Sequence, residues 1–536
     1  MFRSSSSVDS KVRWGQPLDQ ASLLVMAMLS IAILALLVLG NRTAPRIRNF
    51  SWQDKQIGAE DIAFTLTFSR PMNKQSVVDN LQVNVLIPDS EPRPVPGKIS
   101  WAGQKMAYTL EDPAPYGYEF ELALKNAQDR FSQTGKRQAT IEPFTSTFRT
   151  RDRAFFYLGV EGEEEGRLVM YNLTQNHKQI LTPSNLVVFD YESYPKGDRV
   201  VFSATERESH QEGILDQKLY TIATGLEVQD ASEPILANRG LKGSLNAIAT
   251  GPPSETNQPE TPILLLDSDR YQNLKFDLAP DGQSLVIYRV RRDDPSDFGL
   301  WILRSNQDAI PLETEPGGDF LITPDSQSLA YLQGEGLAIL PLEPDANMNE
   351  SIEPLDFLPQ YGMVLNFSND GSKAAMVQFR SEGNVPTRSL FLVTNQGAEK
   401  ELLETNGNIL DAQFDPRGKY LYCLVTKLQS ADTFLEQPFL MAIDLETAEQ
   451  TRLLLLPQQQ NIKMSIAPDG LGILFDQVKS TADPNLSDAI LRGNDGSAIT
   501  ASQLWFFPLT FDKQEQLVLA EPDSIPVEGL HPHWVP

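Results

Sequence analysis

The chain has 536 residues, a formal net charge of −26 from 45 basic and 71 acidic side chains, and a single cysteine. That length exceeds one hydrophobic core and predicts about three folded units. The acidity excludes a phosphate-neutralising surface, so no nucleic acid is expected as a partner, and it excludes a polybasic grip on anionic lipid. Cys423 alone cannot form an intrachain disulfide; it lies in the apolar run 420–425, where a cysteine serves as a small hydrophobe.

Residues 1–20 are polar, with serine from Ser4 to Ser7, and read as a disordered tail. Residues 21–40 then run without a charge. At the helical rise, about 20 residues span roughly 30 Å, the thickness of a bilayer core, so this stretch predicts a transmembrane helix. A cleaved signal peptide is the alternative, but the run exceeds the usual ~7–15 apolar residues of one. Arg3, Lys11 and Arg13 precede the span and Arg42, Arg46 and Arg48 follow it, so flanking charge does not orient it. A short tail before the span and the bulk of the chain behind it resemble a signal anchor, which implies a single-pass protein with the rest exported to the periplasm or cell surface.

From 46 to 150 the apolar residues alternate. Ile62, Phe64, Leu66 and Phe68 share one strand face, and Leu81, Val83, Val85 and Ile87 share another. Further strands are predicted at 98–101, 107–110, 118–124 and 144–149, and short strands at this spacing predict a β-sandwich. The segment opens on Phe68-Ser69-Arg70-Pro71-Met72-Asn73, continues through Gly97-Lys98-Ile99-Ser100-Trp101, Tyr118-Glu119-Phe120-Glu121-Leu122, Asp129 and Gly135, and closes on Phe148-Arg149-Thr150. It resembles the bacterial immunoglobulin-like domains of the S-layer-protein type. That resemblance implies a spacer or adhesion module and carries no catalytic residue.

From 154 to 536 one pattern recurs: an apolar strand, a Pro-Asp-Gly turn or a variant of it, and a second apolar strand. The copies are Tyr194-Pro195-Lys196-Gly197, Ala279-Pro280-Asp281-Gly282, Thr323-Pro324-Asp325-Ser326, Ser368-Asn369-Asp370-Gly371, Asp415-Pro416-Arg417-Gly418 and Ala467-Pro468-Asp469-Gly470. Proline presets φ for the second turn position and glycine takes the left-handed one, so each copy is a hairpin. The intervals are 85, 44, 45, 47 and 52 residues. A period near 45 is the size of a four-stranded propeller blade. A third apolar strand follows each hairpin, as at 300–303, 390–393 and 439–443. The region begins with strands that lack an innermost partner, and Leu530-His531-Pro532-His533-Trp534-Val535-Pro536 reads as that partner. Pairing the two ends gives a seven-bladed ring closed by both. The long first interval holds the polar tract 251–262, read as an inserted loop; an eighth, degenerate blade is the alternative. These copies resemble the propeller repeats of the TolB and WD40-like family, which implies fold and leaves function open, because propellers host binding proteins, scaffolds and enzymes.

The sequence yields no catalytic, cofactor or metal set. His531 and His533 would share a face of the closing strand near the axis, too few ligands for a metal without others converging there. Asp281, Asp325, Asp370 and Asp469 lack the spacing of a calcium loop and suit turns. Glu161-Gly162-Glu163-Glu164-Glu165-Gly166 reads as a solvated loop, and no nucleophile elbow, phosphate loop or zinc-protease motif is present. The chain is therefore read as mainly β: a membrane-anchored extracytoplasmic binding or scaffold protein whose propeller presents a surface to an envelope protein or glycan. The alternatives are a propeller enzyme acting on polysaccharide or peptide at the channel mouth, and an envelope-assembly component resembling TolB whose channel takes a partner's peptide. An apolar patch on one rim would favour binding; ionisable side chains clustered in the channel would favour catalysis.

Overall fold

A computed structural model describes residues 17–39, 44–88, 90–130, 139–211, 216–226, 261–305, 307–334, 336–343, 353–382, 385–430, 435–458, 462–481, 491–493, 496–512 and 516–536. Most of the tail 1–20, Gly40, Gly135 and nearly all of the tract 251–262 lie outside the described residues. The chain divides into two compact units: one takes Met1–Gln53, Ala63–Thr109 and Phe120–Thr147, the other Asp54–Ile62, Leu110–Glu119 and Phe148–Pro536.

The first unit contains a helix, Pro17–Leu39, whose described side chains, 21–34, are all exposed. Among the described residues no helix is long and apolar enough to cross a membrane. Two sheets follow. One has the strand order Ile47–Phe50, Ala63–Phe68, Lys105–Leu110, Gly97–Ala102; the other includes Phe144–Thr150, Glu119–Leu124, Leu81–Leu86, Arg93–Pro94 in that order. Alternation sends Phe64, Leu66 and Phe68 into the interior, and Val83, Val85, Phe120 and Leu122 line it from the other sheet. Phe50 and Phe144 meet across the sheets edge to face, with ring centroids 6.4 Å apart. The Phe-Ser-Arg-Pro-Met stretch is anchored at its start and middle: Phe68 stacks on Trp101 at 5.7 Å, and Arg70 pairs with the buried Asp129 at 3.3 Å. Ile62 departs from the expected strand face; it precedes the strand and is 55% exposed.

The second unit is a ring of seven four-stranded sheets. Blades one to six are consecutive, their innermost strands being Leu186–Ser193, Tyr271–Leu278, Gly317–Ile322, Met363–Phe367, Ile409–Phe414 and Met464–Ile466. Blade seven joins the two ends of the unit: Gly529–Trp534 lies innermost beside Ala154–Gly159, Leu168–Asn172 and His177–Ile180. Among the described residues there are seven such sheets, which fits the seven-blade count from the turn copies.

Each blade is buried on both faces, so its central strands read as continuous apolar runs rather than alternating ones. In blade five Leu421, Cys423 and Val425 face Ala375, Val377 and Leu390 of blade four, while Tyr422 and Leu424 face Ile473 and Phe475 of blade six. Closure uses the same device. Phe155 packs with Leu474 and Leu504 of blade six, and its neighbour Phe156 packs with Val200 and Phe202 of blade one.

All six turn copies adopt one geometry. The fourth residue donates its amide to the carbonyl of the first at 2.7–2.9 Å, from Gly197 to Tyr194 through Gly470 to Ala467. Five have glycine at positive φ, from 68° to 71°, and Ser326 takes the same position at 60°. The turn aspartates fold back on their own loops: Asp281 accepts from the Gln283 amide at 2.8 Å and Asp325 from the Gln327 amide at 3.0 Å.

Candidate functional site

The innermost strand of a blade has one sheet edge with no fifth strand beside it, and its amides need acceptors from elsewhere. Three residues before each turn proline, or its equivalent, stand Glu192, Asp277, Leu321, Asn366, Gln413, Ser465 and His533, one per blade. Four of them accept an amide of the next blade. Glu192 Oε2 accepts from Leu278 at 2.7 Å, Asp277 Oδ2 from Ile322 at 2.6 Å, Gln413 Oε1 from Ile466 at 3.0 Å and Ser465 Oγ from Trp534 at 3.1 Å. These polar side chains latch successive blades around the axis.

Two residues earlier in each blade lies a second layer, on the innermost strand or, for Lys463, just before it: Asp190, Lys275, Asp319, Val364, Asp411, Lys463 and His531. Lys275 pairs with Asp319 and donates to the Phe320 carbonyl at 3.0 Å. Burial raises the Asp190 carboxyl above the usual range, while the Tyr191 amide and the charges of Lys463 and Lys275 act against it. The lysines belong to blades six and two, so the layer converges on the axis from both sides of blade one. Burial also pushes Glu192 well up, and Asp277 beside it adds to the effect. Asp411 is pushed up to about 6 by burial, against the Gln413 amide, which donates to it at 2.9 Å.

Above these layers opens a cavity of about 900 Å³, lined from all seven blades. Its collar consists of Pro195, Pro280, Pro324, Pro416, Pro468 and Pro536, with Asn369 in the place of the missing proline. Leu278, Leu321, Ile322, Phe367 and Ile466 add aliphatic and aromatic surface, and Ala59, Glu60, Ile62, Pro113 and Tyr116 close part of the wall. Tyr116 is fixed there by its amide, which donates to Asp469 at 3.0 Å, and by its hydroxyl, which accepts from the Ala59 amide at 2.9 Å. Arg153 secures the same carboxylate at 2.9 Å. The turn aspartate of blade six therefore holds the cavity wall.

The two closing-strand histidines lie at the axis but part company. His533 lines the cavity, whereas His531 sits one layer deeper at φ 50°, where the strand bulges. Its amide donates to the fully buried Asp476 at 2.8 Å, and its carbonyl accepts from the Tyr191 hydroxyl. Burial pushes both imidazoles down to about 4, so they are neutral near neutral pH. Among the described residues no group of three or more His, Cys, Asp or Glu is placed to hold a metal. His177 is exposed on the outermost strand of blade seven, and His210 packs against Phe189 at 5.5 Å. Glu164 of the acidic loop accepts from Tyr157 at 2.6 Å and pairs with Lys178 at 2.8 Å. Cys423 is buried, and its thiol is pushed up by burial. The axial layers were missed in the sequence, although a signal was available: three and five residues before each turn proline or its equivalent, six of the seven side chains are polar although the flanking strand is apolar.

The class defined by these sheets is a seven-bladed β-propeller preceded by a two-sheet β unit. No known family matches the sequence, and no curated protein does. Solved structures similar to the chain include TolB from Acinetobacter baumannii, at 12% identity over 68% of this chain and 80% of that one with a TM-score of 0.37. They also include oligogalacturonate lyase from Vibrio parahaemolyticus, at 10% identity over 68% and 92% with a TM-score of 0.39. A third is prolyl oligopeptidase B from Galerina marginata, at 10% identity over 70% and 50% with a TM-score of 0.40. Likeness at this level carries no functional argument, and the propeller assignment rests on the seven sheets themselves.

Proposed function

We propose that this chain is a membrane-anchored, extracytoplasmic binding or scaffold protein whose propeller mouth receives a partner, an envelope protein or a glycan. The observation that carries this is the cavity of about 900 Å³, to which every blade contributes and whose collar is proline and aliphatic side chain. A concave apolar rim with a few polar groups beneath it is the usual form of a binding site. The anchor is proposed through 21–40. Leu23, Leu24, Val25, Met26 and Met28 are each more than half exposed and together surround the helix, a surface that favours lipid over water. The sandwich, resembling an immunoglobulin-like module, would serve as the spacer.

The ionisable side chains beneath the collar favour a second function, an enzyme acting on polysaccharide or peptide at the channel mouth. Two features weigh against it: Glu192 and Asp277 are already engaged as blade latches, and the two histidines are neutral and unassisted by a third ligand group among the described residues. Crosslinked pull-down of the full-length protein from its native membrane tests the proposal. A stoichiometric partner is expected; recovery of none, together with turnover of a glycan panel by the same protein, would overturn it. Protease added to cells with an opened outer envelope should digest the propeller, and full protection would place it on the other side.

A further inference from the structure

The mouth combines two chemistries at different depths. The collar is apolar, built of the turn prolines with Leu278, Leu321, Ile322 and Ile466. Below it, two residues deeper than the latches, the throat holds three carboxylates, Asp190, Asp319 and Asp411, against two lysines, Lys275 and Lys463; Glu192 and Asp277 in the layer above already accept backbone amides. Lys275 is already committed to Asp319 and to the Phe320 carbonyl. Asp190 and Asp319 have solvent-exposed surface although both lie on innermost strands; Asp190 is at the same time surrounded by enough protein for burial to raise its carboxyl, the setting of a group on the wall of a narrow channel. Asp190 accepts from its own strand at the Tyr191 amide, 2.9 Å away, and the charges of Lys463 and Lys275 act on it without a direct ion pair among the described residues. A deficit of positive charge inside a low-dielectric throat draws a cation more strongly than the same deficit on an open surface.

Resting on the mouth as the binding site, we propose that the partner is a protein that inserts one cationic side chain, a lysine or an arginine, through the proline collar into this throat. Such a side chain matches the two depths: its methylene stem lies along aliphatic surface while its charged head reaches carboxylates. A sugar ring suits the collar less well, because its apolar surface is mostly proline and aliphatic: of the aromatic side chains in the lining, Trp534 and Tyr116 are 3% and 4% exposed and Phe367 is half-buried. The charge of the rest of the chain, −26 overall, reinforces attraction of a basic partner.

The test titrates full-length protein in detergent with three synthetic heptapeptides, Gly-Pro-Leu-X-Leu-Pro-Gly with X as arginine, norleucine or glutamate, by calorimetry. The arginine peptide is expected to bind at least about tenfold more tightly than the norleucine peptide, and to lose about tenfold in Asp190→Asn/Asp411→Asn protein. Lys463→Met should tighten it. Equal affinity for arginine and norleucine peptides, absence of binding at millimolar concentration, or indifference to the double substitution overturns the proposal; the peptide comparison on unaltered protein stands even if the variant does not fold. A glucosamine oligomer that binds in place of the arginine peptide also overturns it. Pull-down with the collar variant Ile466→Trp separates the two levels: a partner lost with Ile466→Trp and kept with the double substitution leaves the mouth as binding site and removes the cationic anchor. A partner kept by both removes the mouth itself.

Discussion

The amide of Ile322 donates to the carboxylate of Asp277 at 2.6 Å, joining the innermost strands of two neighbouring blades. Ile322 is 4% exposed, so its amide depends on this acceptor at the edge of the cavity. Replacing Asp277 by leucine should cost about 1–3 kcal/mol, the penalty of an unsatisfied buried donor, whereas asparagine retains an acceptor and should cost less than about 1 kcal/mol. Denaturant melts of the two variants measure the difference, and equal stability would show that the latch is incidental.

Asp476 links blade six to the closing strand: its oxygens accept from the Lys463 amide at 2.7 Å and the His531 amide at 2.8 Å. Burial pushes its pKa up to about 7 against the pull of those two amides. A carboxyl raised above its unfolded value of about 3.9 contributes stability that is complete below that pH and is lost as pH rises through about 7. The melting temperature should therefore fall between pH 5 and pH 8. Asp476→Asn should flatten that slope while lowering stability by about 1–3 kcal/mol at every pH, because the amide nitrogen cannot accept from both donors. An unchanged slope would assign the pH dependence to other groups.

The turn glycines separate backbone strain from crowding. Gly282 and Gly418 share φ near 70°, but a Cβ on Gly282 would lie 3.1 Å from Pro195 and 3.2 Å from Tyr194, whereas nothing stands within 4 Å at Gly418. Gly418→Ala should cost about 1 kcal/mol and Gly282→Ala more. Ser326→Gly should stabilise by up to about 1 kcal/mol, less the loss of the Ser326 hydroxyl that accepts from the Asp281 amide at 3.0 Å. Thermal melts of the three variants rank them, and equal costs at the two glycines would remove the crowding term.

The blades were legible because the turn writes itself into sequence: proline and glycine at fixed places number the hairpins, and the run around Cys423 announces a strand buried on both faces. The axis was not legible in the same way. Glu192, Asp277, Gln413 and Ser465 perform one task with four side chains, since any acceptor of suitable length satisfies the next blade's amide, so no residue type repeats. His531 was placed by alternation alone, and the bulge that turns its backbone to φ 50° follows from contacts with Asp476 and Tyr191, more than fifty residues and more than three hundred residues away. The segments 54–62 and 110–119 gave no sign that they would line the propeller mouth.

Closure itself can be tested at Trp534. Its ring meets Phe155 at 5.8 Å and Phe506 at 6.1 Å, and its strand pairs Phe155 with Trp534 and Phe156 with His533. Trp534 is 3% exposed, so Trp534→Ala removes a large buried side chain from the joint between blades six and seven and should cost about 3–5 kcal/mol. Removing 529–536 goes further, because it uncovers the edge of Ala154–Gly159, a strand buried along its whole length. An uncovered apolar edge recruits another chain, so the shortened protein should elute as oligomers in size-exclusion chromatography while Trp534→Ala stays in the native state of association. If the shortened protein kept both its elution volume and its melting temperature, the ring would not depend on the strand that joins its two ends.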